Sequence, residues 1–223
     1  MNFYAKIERM IKTIIFDLDG TLLNTLEDLM ISTNFALTEF DFPTHSLEEI
    51  RKFVGNGVKK LIERAVPSNC PKEITEKCLE IFKKHYSQNM YNHTKPYDSI
   101  IEILEELHNK GLKIGVVSNK FDFAVKELCK KYFPNLIDVA IGQSEDVPKK
   151  PAPDGVFKAM KELKAEKNST VYVGDSEVDV QTSKNAELPC IGVLWGFRNE
   201  KDLIGADYII SNPCDILKII DAK

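Results

Sequence analysis

The sequence lacks the cysteine patterns that mark disulfide-rich and zinc-binding proteins. Its 223 residues include five cysteines, an odd number, and no two of them form a CxxC pair. Cysteines at such wide spacings are typical of reduced thiols, so we expect a cytoplasmic protein. Long hydrophobic runs are missing too. The apolar stretch at residues 11–16 is too short to span a bilayer, and no cleavage site follows it, so we expect neither a membrane anchor nor a secretory signal.

An excess of positive charge is absent as well. Lysine and arginine total 30 against 34 acidic residues, which gives a formal net charge of −4. Because nucleic acids and anionic membranes attract basic surfaces, we expect neither as a partner. The length fits one large domain or one domain with an insertion. It leaves open whether the protein is a monomer or a homodimer, and whether residues 1–9 belong to the native chain.

Short apolar segments alternate with amphipathic segments along most of the chain. The apolar segments predict strands at residues 11–16, 112–117, 137–141, 170–173, 190–194 and 208–210. The amphipathic segments predict helices at residues 98–110, 121–132 and 154–163. This alternation predicts an α/β fold with a Rossmann-like, mostly parallel sheet and helices on both of its faces.

One interval, from about residue 24 to residue 95, shows helical periodicity and no convincing strand. Helices are predicted at residues 25–40, from Ser46 onward, at 58–66 and at 71–90. The segment from Ser46 to Glu49 has the spacing of a capping box, which marks a helix start. We therefore expect residues 23–95 to form an α-helical cap domain, inserted into a core domain made of residues 1–22 and 96–223.

Polar side chains follow four of the predicted strands, and open parallel sheets bind ligands at this edge. The first strand ends in Asp17 and Asp19, and Gly20 allows a sharp turn after them. One carboxylate can attack a phosphorus atom and form an aspartyl-phosphate. The other can protonate the leaving oxygen and then deprotonate the attacking water. A pair of solvated turn residues is the alternative, because Asp, Gly and Thr favour turns in any case.

Asp175 follows another predicted strand and can bring a further carboxylate to the same point. Carboxylates without histidine or thiolate suit a hard cation, so we expect Mg²⁺ with waters and a phosphate oxygen. Asp179 lies one helical turn after Asp175. It can bind the metal, orient Asp175 from behind, or simply stabilise the N-terminus of a helix.

Ser118, Asn119 and Lys150 are candidates for binding the phosphoryl group. Ser118 and Asn119 offer a hydroxyl, an amide and backbone N–H groups, although they can also cap the following helix. Lys150 lies between Lys149 and two prolines, and its ammonium can bridge the nucleophile and the phosphoryl oxygens. A solvated loop lysine is the ordinary alternative.

Four motifs in this order make the chain resemble the haloacid dehalogenase superfamily. They are DLDGT at residues 17–21, the SN pair at 118–119, KPxP at 150–153 and GDSxxD at 174–179. The helical insertion resembles the α-helical cap of that superfamily. Dehalogenases resemble this fold but lack the second aspartate and the metal, so the presence of Asp19 implies phosphoryl transfer.

The resemblance also implies a role for each motif residue. Asp17 would be the nucleophile and Asp19 the acid and base. Mg²⁺ would be bound by Asp17, the backbone carbonyl of Asp19, and Asp175. The residues implied to hold the phosphate are Ser118, Asn119 and Lys150.

The segments DGTLLNTLEDL and FVGNGVKKLIERA resemble phosphoglycolate phosphatases most, which implies phosphoglycolate as the leading substrate. Asn24 departs from the aspartate of many relatives. Asn56, between two glycines, would lie in a cap loop over the site and contact the substrate, unless it is an ordinary interhelical turn. Alternatives are a pyrophosphatase, a nucleotidase, a non-catalytic binding protein, or a β-phosphoglucomutase-type mutase. The mutase is disfavoured because residues 24–28 contain no histidine.

Overall fold

Residues 10–221 are described by the computed structural model, and within them the chain forms eight strands and nine α-helices. The open question about residues 1–9 lies outside the described residues. The strands are β1 (Thr13–Phe16), β2 (Leu23–Asn24), β3 (Lys95–Pro96), β4 (Lys113–Phe121), β5 (Val139–Gln143), β6 (Thr170–Gly174), β7 (Cys190–Val193) and β8 (Tyr208–Ile210). The helices are α1 (Leu26–Thr38), α2 (Leu47–Phe53), α3 (Val58–Ala65), α4 (Lys72–Asn89), α5 (Ile100–Asn109), α6 (Asp122–Tyr132), α7 (Asp154–Leu163), α8 (Glu177–Ala186) and α9 (Asp215–Asp221).

Six strands form one sheet in the order β5-β4-β1-β6-β7-β8, and every neighbouring pair is parallel. All four residues of β1 are buried, as expected for a central strand covered by helices on both faces. Phe16, its last residue, lies beside Val116 of β4 and Val173 of β6. The predicted α/β sheet is confirmed, and the order of its strands brings the ends of β1, β4 and β6 together at one edge.

A layer of four helices, α1 to α4, lies between β2 and β3 in the chain. Ser46 caps α2 as predicted: its hydroxyl accepts a hydrogen bond from the Glu49 N–H, and the Glu49 side chain accepts one from the Ser46 N–H. At the two ends of the layer, β2 and β3 pair antiparallel with each other. The sequence did not predict this ribbon, because strands of two residues show no periodicity.

Two further segments differ from the sequence prediction. The predicted strand at residues 112–117 continues to Phe121, with a shift of pairing register between Val117 and Phe121. Ser118 and Asn119 therefore lie within an irregular strand end instead of after it. The seven-residue helix α9 was not predicted. None of the helices within residues 10–221 is long and apolar enough to cross a membrane.

Candidate active site

A tight turn after β1 places Asp17 beside Asp175. The Asp17 N–H donates to the carbonyl of Val173 at 2.9 Å, which extends the pairing of β1 with β6. Gly20 then adopts a φ of 89°, in the region that favours glycine. A Cβ at Gly20 would also lie 2.7 Å from Cγ of Asp175, closer than packed atoms approach. Glycine is therefore needed at this position both for the turn and for the approach of Asp175.

Lys150 joins two buried carboxylates. Its Nζ lies 2.8 Å from Oδ1 of Asp17 and 2.7 Å from Oδ1 of Asp179, and Lys150 is only 4% exposed. Nζ also donates to the hydroxyl of Tyr172 at 3.1 Å, and that hydroxyl donates to Asp179 at 3.0 Å. The peptide bond from Lys150 to Pro151 is cis. Lys150, for which a solvated loop lysine was the ordinary alternative, is thus the centre of a buried ionic network.

Asp17, Asp175 and Asp179 each place a carboxylate oxygen within 4.8 Å of the others. Burial raises the pKa of Asp17 to about 7, against a lowering by Lys150 and a further rise from Asp179. Burial, followed by the charges of Asp179 and Asp17, also raises the pKa of Asp175 well above its ordinary value. Lys150 pairs with only two of these three buried carboxylates, and this deficit of positive charge, together with the all-oxygen donor set, fits a hard divalent cation.

The oxygens of Asp179 are already occupied by protein groups. Oδ1 accepts from Lys150 and Tyr172, while Oδ2 accepts from the Ser176 hydroxyl at 2.5 Å and the Ser176 N–H at 3.1 Å. Asp175 is held less completely: Oδ2 accepts from the N–H of Phe197 at 2.7 Å, and Oδ1 accepts from the Thr21 hydroxyl at the longer distance of 3.3 Å. Asp175 is consequently better placed than Asp179 to offer an oxygen to a metal ion.

Ser118 and Asn119 lie at the same edge of the sheet, but their side chains form hydrogen bonds with different partners. The Oγ of Ser118 is 3.4 Å from Oδ2 of Asp19 and accepts the Lys120 N–H at 3.2 Å. The side chain of Asn119 accepts the Lys150 N–H at 2.6 Å and donates to the carbonyls of Lys150 and Gly55. Asn119 thus ties the loop that carries Lys150 to the loop between α2 and α3.

The structure does not bring Asn56 together with the other predicted residues. Its Oδ1 accepts a hydrogen bond from Arg64 at 2.7 Å, and both residues line a surface groove outside the site. Gly55 and Gly57, its two neighbours, do line the site, with φ values of 118° and 83°. The loop between α2 and α3 therefore reaches the site through its glycines, because Arg64 of α3 draws the Asn56 side chain away.

A cavity lies between the edge of the sheet and the helical layer. Its polar wall includes Asp17, Asp19, Lys150 and Asp175. Its apolar wall consists of Leu29, Val54, Val58 and Leu61 from the helical layer and of Phe197 from the other side. The cavity has a volume of about 40 Å³, whereas pockets for drug-sized ligands measure about 300–1,000 Å³. A cavity of this volume suits a small ligand.

Known proteins share both the sequence motifs and this architecture. The sequence model of haloacid dehalogenase-like hydrolases matches residues 14–193. The chain belongs to this family. A phosphoglycolate phosphatase of Aquifex aeolicus is 33% identical over 215 residues, which cover 94% of this chain and 97% of that protein. The predicted enzyme class, a hydrolase resembling phosphoglycolate phosphatases, is confirmed.

Solved structures of the haloacid dehalogenase-like family match the whole described fold. One from Lactobacillus delbrueckii subsp. bulgaricus, provisionally assigned as a phosphoglycolate phosphatase, superposes with a TM-score of 0.91 at 31% identity and covers 96% of this chain and 100% of its own. Another with a similar assignment, from Haemophilus somnus, has a TM-score of 0.88 at 28% identity and covers 95% of this chain and 99% of its own.

Two positively charged side chains that line the cavity, Lys120 and Arg198, were not predicted from the sequence. Lys120 donates to Oδ1 of Asp19 at 2.7 Å, and its position directly after the SN pair was the available signal. Arg198 donates to the backbone carbonyls of Arg51 at 2.8 Å and Val54 at 2.6 Å, across the boundary between sheet and helical layer. No motif in the sequence marks Arg198.

Proposed function

We propose that the protein is a Mg²⁺-dependent phosphatase that cleaves small phosphomonoesters through an aspartyl-phosphate on Asp17, with phosphoglycolate as the leading substrate. The observation that carries the proposal is the ion pair between Asp17 and Lys150, at 2.8 Å, inside a small cavity that Asp19 and Asp175 also line. A carboxylate and an ammonium so placed can attack and hold one phosphoryl group. We assign the core to residues 1–22 and 96–223 and the cap to residues 23–95.

The metal would be held by Asp17, the backbone carbonyl of Asp19, and Asp175. All three offer oxygen, the donor that Mg²⁺ prefers. When bound, the cation neutralises charge on the phosphoryl group and on the attacking carboxylate. Asp179 would act through Lys150 instead of binding the metal, since its own oxygens accept hydrogen bonds from Lys150, Tyr172 and Ser176.

Asp17 would carry the covalent step. Its Oδ1 accepts the Leu18 N–H at 2.7 Å and pairs with Lys150, whereas Oδ2 would attack phosphorus. Oδ1 would be offered to the metal once Lys150 turns toward the phosphoryl oxygens. A bond forms between Oδ2 and phosphorus while the bond from phosphorus to the ester oxygen breaks, and Asp19 gives its proton to that oxygen. Asp19 then takes a proton from water, whose oxygen attacks phosphorus, frees Asp17 and releases inorganic phosphate.

The phosphoryl oxygens would be held by Lys150, the Ser118 hydroxyl and backbone N–H groups near Asn119. Lys150 and Ser118 line the cavity and are nearly buried. Donors fixed in a site that excludes water stabilise developing charge more strongly than solvent does. The Asn119 side chain would contribute indirectly, by fixing the backbone of Lys150 on both sides of that residue.

The size of the cavity supports a small substrate. An opening of about 40 Å³ leaves no room for a nucleoside beside the phosphoryl group while the helical layer is in contact with the core. The similarity to a phosphoglycolate phosphatase of Aquifex aeolicus points the same way. We propose that the cap opens to admit substrate and closes to exclude water. A cytoplasmic location is also proposed, supported by five cysteines that form no disulfide.

A substrate panel with matched controls tests this proposal. Phosphate release is measured from phosphoglycolate, pyrophosphate, a nucleoside monophosphate and a sugar phosphate. We expect the highest kcat/KM for phosphoglycolate and the lowest for the nucleotide. Asp17→Asn is the control for contaminating phosphatases and should have no activity, because an amide oxygen is a poor nucleophile. If pyrophosphate or the nucleotide gave a higher kcat/KM than phosphoglycolate, that compound would replace phosphoglycolate as the leading substrate. The proposed reaction class would stand.

Trapping tests the covalent step itself. Rapid acid quench during turnover, followed by peptide mass analysis, should find one phosphoryl group on the peptide that contains Asp17. Asp19→Asn slows hydrolysis of the aspartyl-phosphate. Any residual turnover of this variant should therefore leave a larger fraction of the enzyme phosphorylated on Asp17. Undiminished turnover by Asp17→Asn, with deamidation excluded by mass, would eliminate the covalent mechanism.

A further inference from the structure

The two carboxylate oxygens of Asp19 have different surroundings. Oδ1 accepts the hydroxyl of Thr25 at 2.5 Å and the ammonium of Lys120 at 2.7 Å. Two such bonds use both lone pairs of that oxygen. Among residues 10–221, Oδ2 has only the Ser118 hydroxyl within reach, at 3.4 Å, and Ser118 lines the cavity. Oδ2 is therefore the oxygen of Asp19 that is available to a substrate.

Lys120 is held in place from the helical layer. It lies at the irregular end of β4, is 4% exposed, and its Nζ is 4.7 Å from the ring centroid of Tyr86. Tyr86 belongs to α4, is fully buried, and stacks on Phe82 with ring centroids 5.5 Å apart. A buried ammonium needs compensation, and here it comes from the Asp19 carboxylate and the face of an aromatic ring.

We propose that Lys120, held beneath the ring of Tyr86, is a positioning residue that fixes Oδ1 of Asp19 and thereby aims Oδ2 at the leaving oxygen of the substrate. The inference rests on the proposed role of Asp19 as the general acid. Thr25 precedes α1 and Tyr86 belongs to α4, so both ends of the helical layer contribute to the position of this one carboxylate. Contact between the helical layer and the core would then both position the Asp19 carboxyl and close the cavity.

A positioning role predicts that damage depends on the leaving group. In the first half-reaction the bond from phosphorus to the ester oxygen breaks as the bond to Asp17 forms. The alkoxide released from an alkyl phosphate needs the proton of Asp19. The acetate released from acetyl phosphate is stable without one, and this substrate is small enough for the same cavity. Loss of acid positioning should therefore slow the alkyl ester and spare acetyl phosphate.

The experiment compares Lys120→Met with the wild type on 2-phosphoglycolate and acetyl phosphate. The quantity measured is kcat/KM, which reports steps up to the first irreversible one. We expect a loss of about 100-fold for phosphoglycolate, the effect of displacing a reacting group by about 1 Å. For acetyl phosphate we expect a loss of less than about fivefold. Lys113→Met is the matched control, since Lys113 begins the same strand, donates to the Leu163 carbonyl and lies outside the cavity.

The ring of Tyr86 is tested by a pair of variants. Tyr86→Phe keeps the aromatic face over Lys120 and should retain the wild-type ratio of the two kcat/KM values. Tyr86→Leu removes that face and should shift the ratio in the direction of Lys120→Met. Lys120→Arg keeps the charge with a different shape, so it should show a smaller shift and serves if Lys120→Met fails to fold.

Equal losses on both substrates in the Lys120 variants would overturn the inference, because they would mean that Lys120 binds the phosphoryl group or only supports the fold. Asp19→Asn separates this failure from that of the proposed function. If Asp19→Asn slows phosphoglycolate selectively and the Lys120 variants do not, only the inference fails. If Asp19→Asn slows both substrates equally, Asp19 is not the acid and both fail. Should wild-type enzyme prefer another alkyl phosphate, that ester replaces phosphoglycolate in the same comparison.

Discussion

Without metal, the folded protein should lose stability as the pH rises from about 4 to about 7, and Asp17 should be a main cause. Burial raises the pKa of Asp17 from 3.8 to about 7 in the metal-free site. Below pH 3.8 this carboxyl is neutral in both the folded and the unfolded chain. Between pH 3.8 and about 7 it ionises only in the unfolded chain, so unfolding releases a proton and rising pH favours unfolding.

The size of this effect follows from the two pKa values. At about 1.4 kcal/mol per pKa unit, the interval from 3.8 to about 7 corresponds to about 4 kcal/mol of unfolding free energy. Asp17 is only 8% exposed, so screening by solvent reduces the figure little. With a urea m-value of about 3 kcal/mol/M, the unfolding midpoint should fall by about 1 M or more across this range. Mg²⁺ should remove the loss, since a dication beside Asp17 stabilises its ionised form.

The assay is urea unfolding followed by circular dichroism, in excess chelator, at intervals from pH 4 to pH 8. Asp17→Asn is the control, because it removes the titrating group and leaves Asp175 and the histidines in place. The difference between the two proteins in unfolding free energy should change by about 4 kcal/mol between pH 4 and pH 7. Parallel profiles for the two proteins in chelator would refute the reasoning, since Asp17 would then not be held neutral by burial.

Three further predictions concern the metal and the helical layer. Chelation should abolish turnover, and Mg²⁺ should restore it better than Ca²⁺, which accepts more oxygen ligands at longer distances; full activity in excess chelator would contradict this. Arg198→Ala should raise KM about tenfold or more, because the guanidinium donates two bonds across to carbonyls near the end of α2, at 2.8 and 2.6 Å. Arg64→Ala breaks bonds inside the layer only and is its control in the same steady-state assay, and an equal rise in KM would argue against the bridge. Asn56→Ala should change kcat/KM for phosphoglycolate less than about twofold, since its side chain lies outside the cavity, and a selective loss would restore it as a specificity residue.

Hydrophobic periodicity was enough to predict the large elements of the fold. Strand β1 consists entirely of buried residues, and helix α4 spans 18 residues. Each therefore has a hydrophobic pattern clear enough to predict the element from the sequence. The ribbon of β2 and β3 has only two residue pairs, too few for an alternation of apolar and polar residues to be recognised in the sequence. The end of β4 was misread because Ser118 and Asn119 are polar, and their burial follows from contacts with Asp19 and Lys150 that are distant in sequence.

The proximity of Asp17 and Asp175 could be predicted from the topology of the sheet. A parallel sheet that places β1 beside both β4 and β6 must bring their ends to one edge. The side chain of Asn56 could not be placed in the same way. It turns toward Arg64 because the two residues face one another across the start of α3, and the sequence shows only a polar residue between two glycines. Lys120 directly follows the SN pair, but its ion pair with Asp19 and its contact with Tyr86 join residues that are distant in sequence.

Asp179 places a second buried carboxylate on the ammonium that pairs with Asp17. Asp179 is fully buried and pairs with Lys150 at 2.7 Å, nearly the same distance that separates Lys150 from Asp17. Lys150 is therefore shared, and its single charge does not compensate both carboxylates. Burial raises the pKa of Asp17 to about 7 and the charge of Asp179 adds to the rise, so this carboxyl stays largely neutral below that pH until a further positive charge arrives. A neutral carboxyl is a poor nucleophile. Burial of Asp17, together with the sharing of Lys150, would thus reserve the reactive form of Asp17 for the metal-bound enzyme. Comparison of the pH profiles in chelator and in Mg²⁺ measures this difference directly.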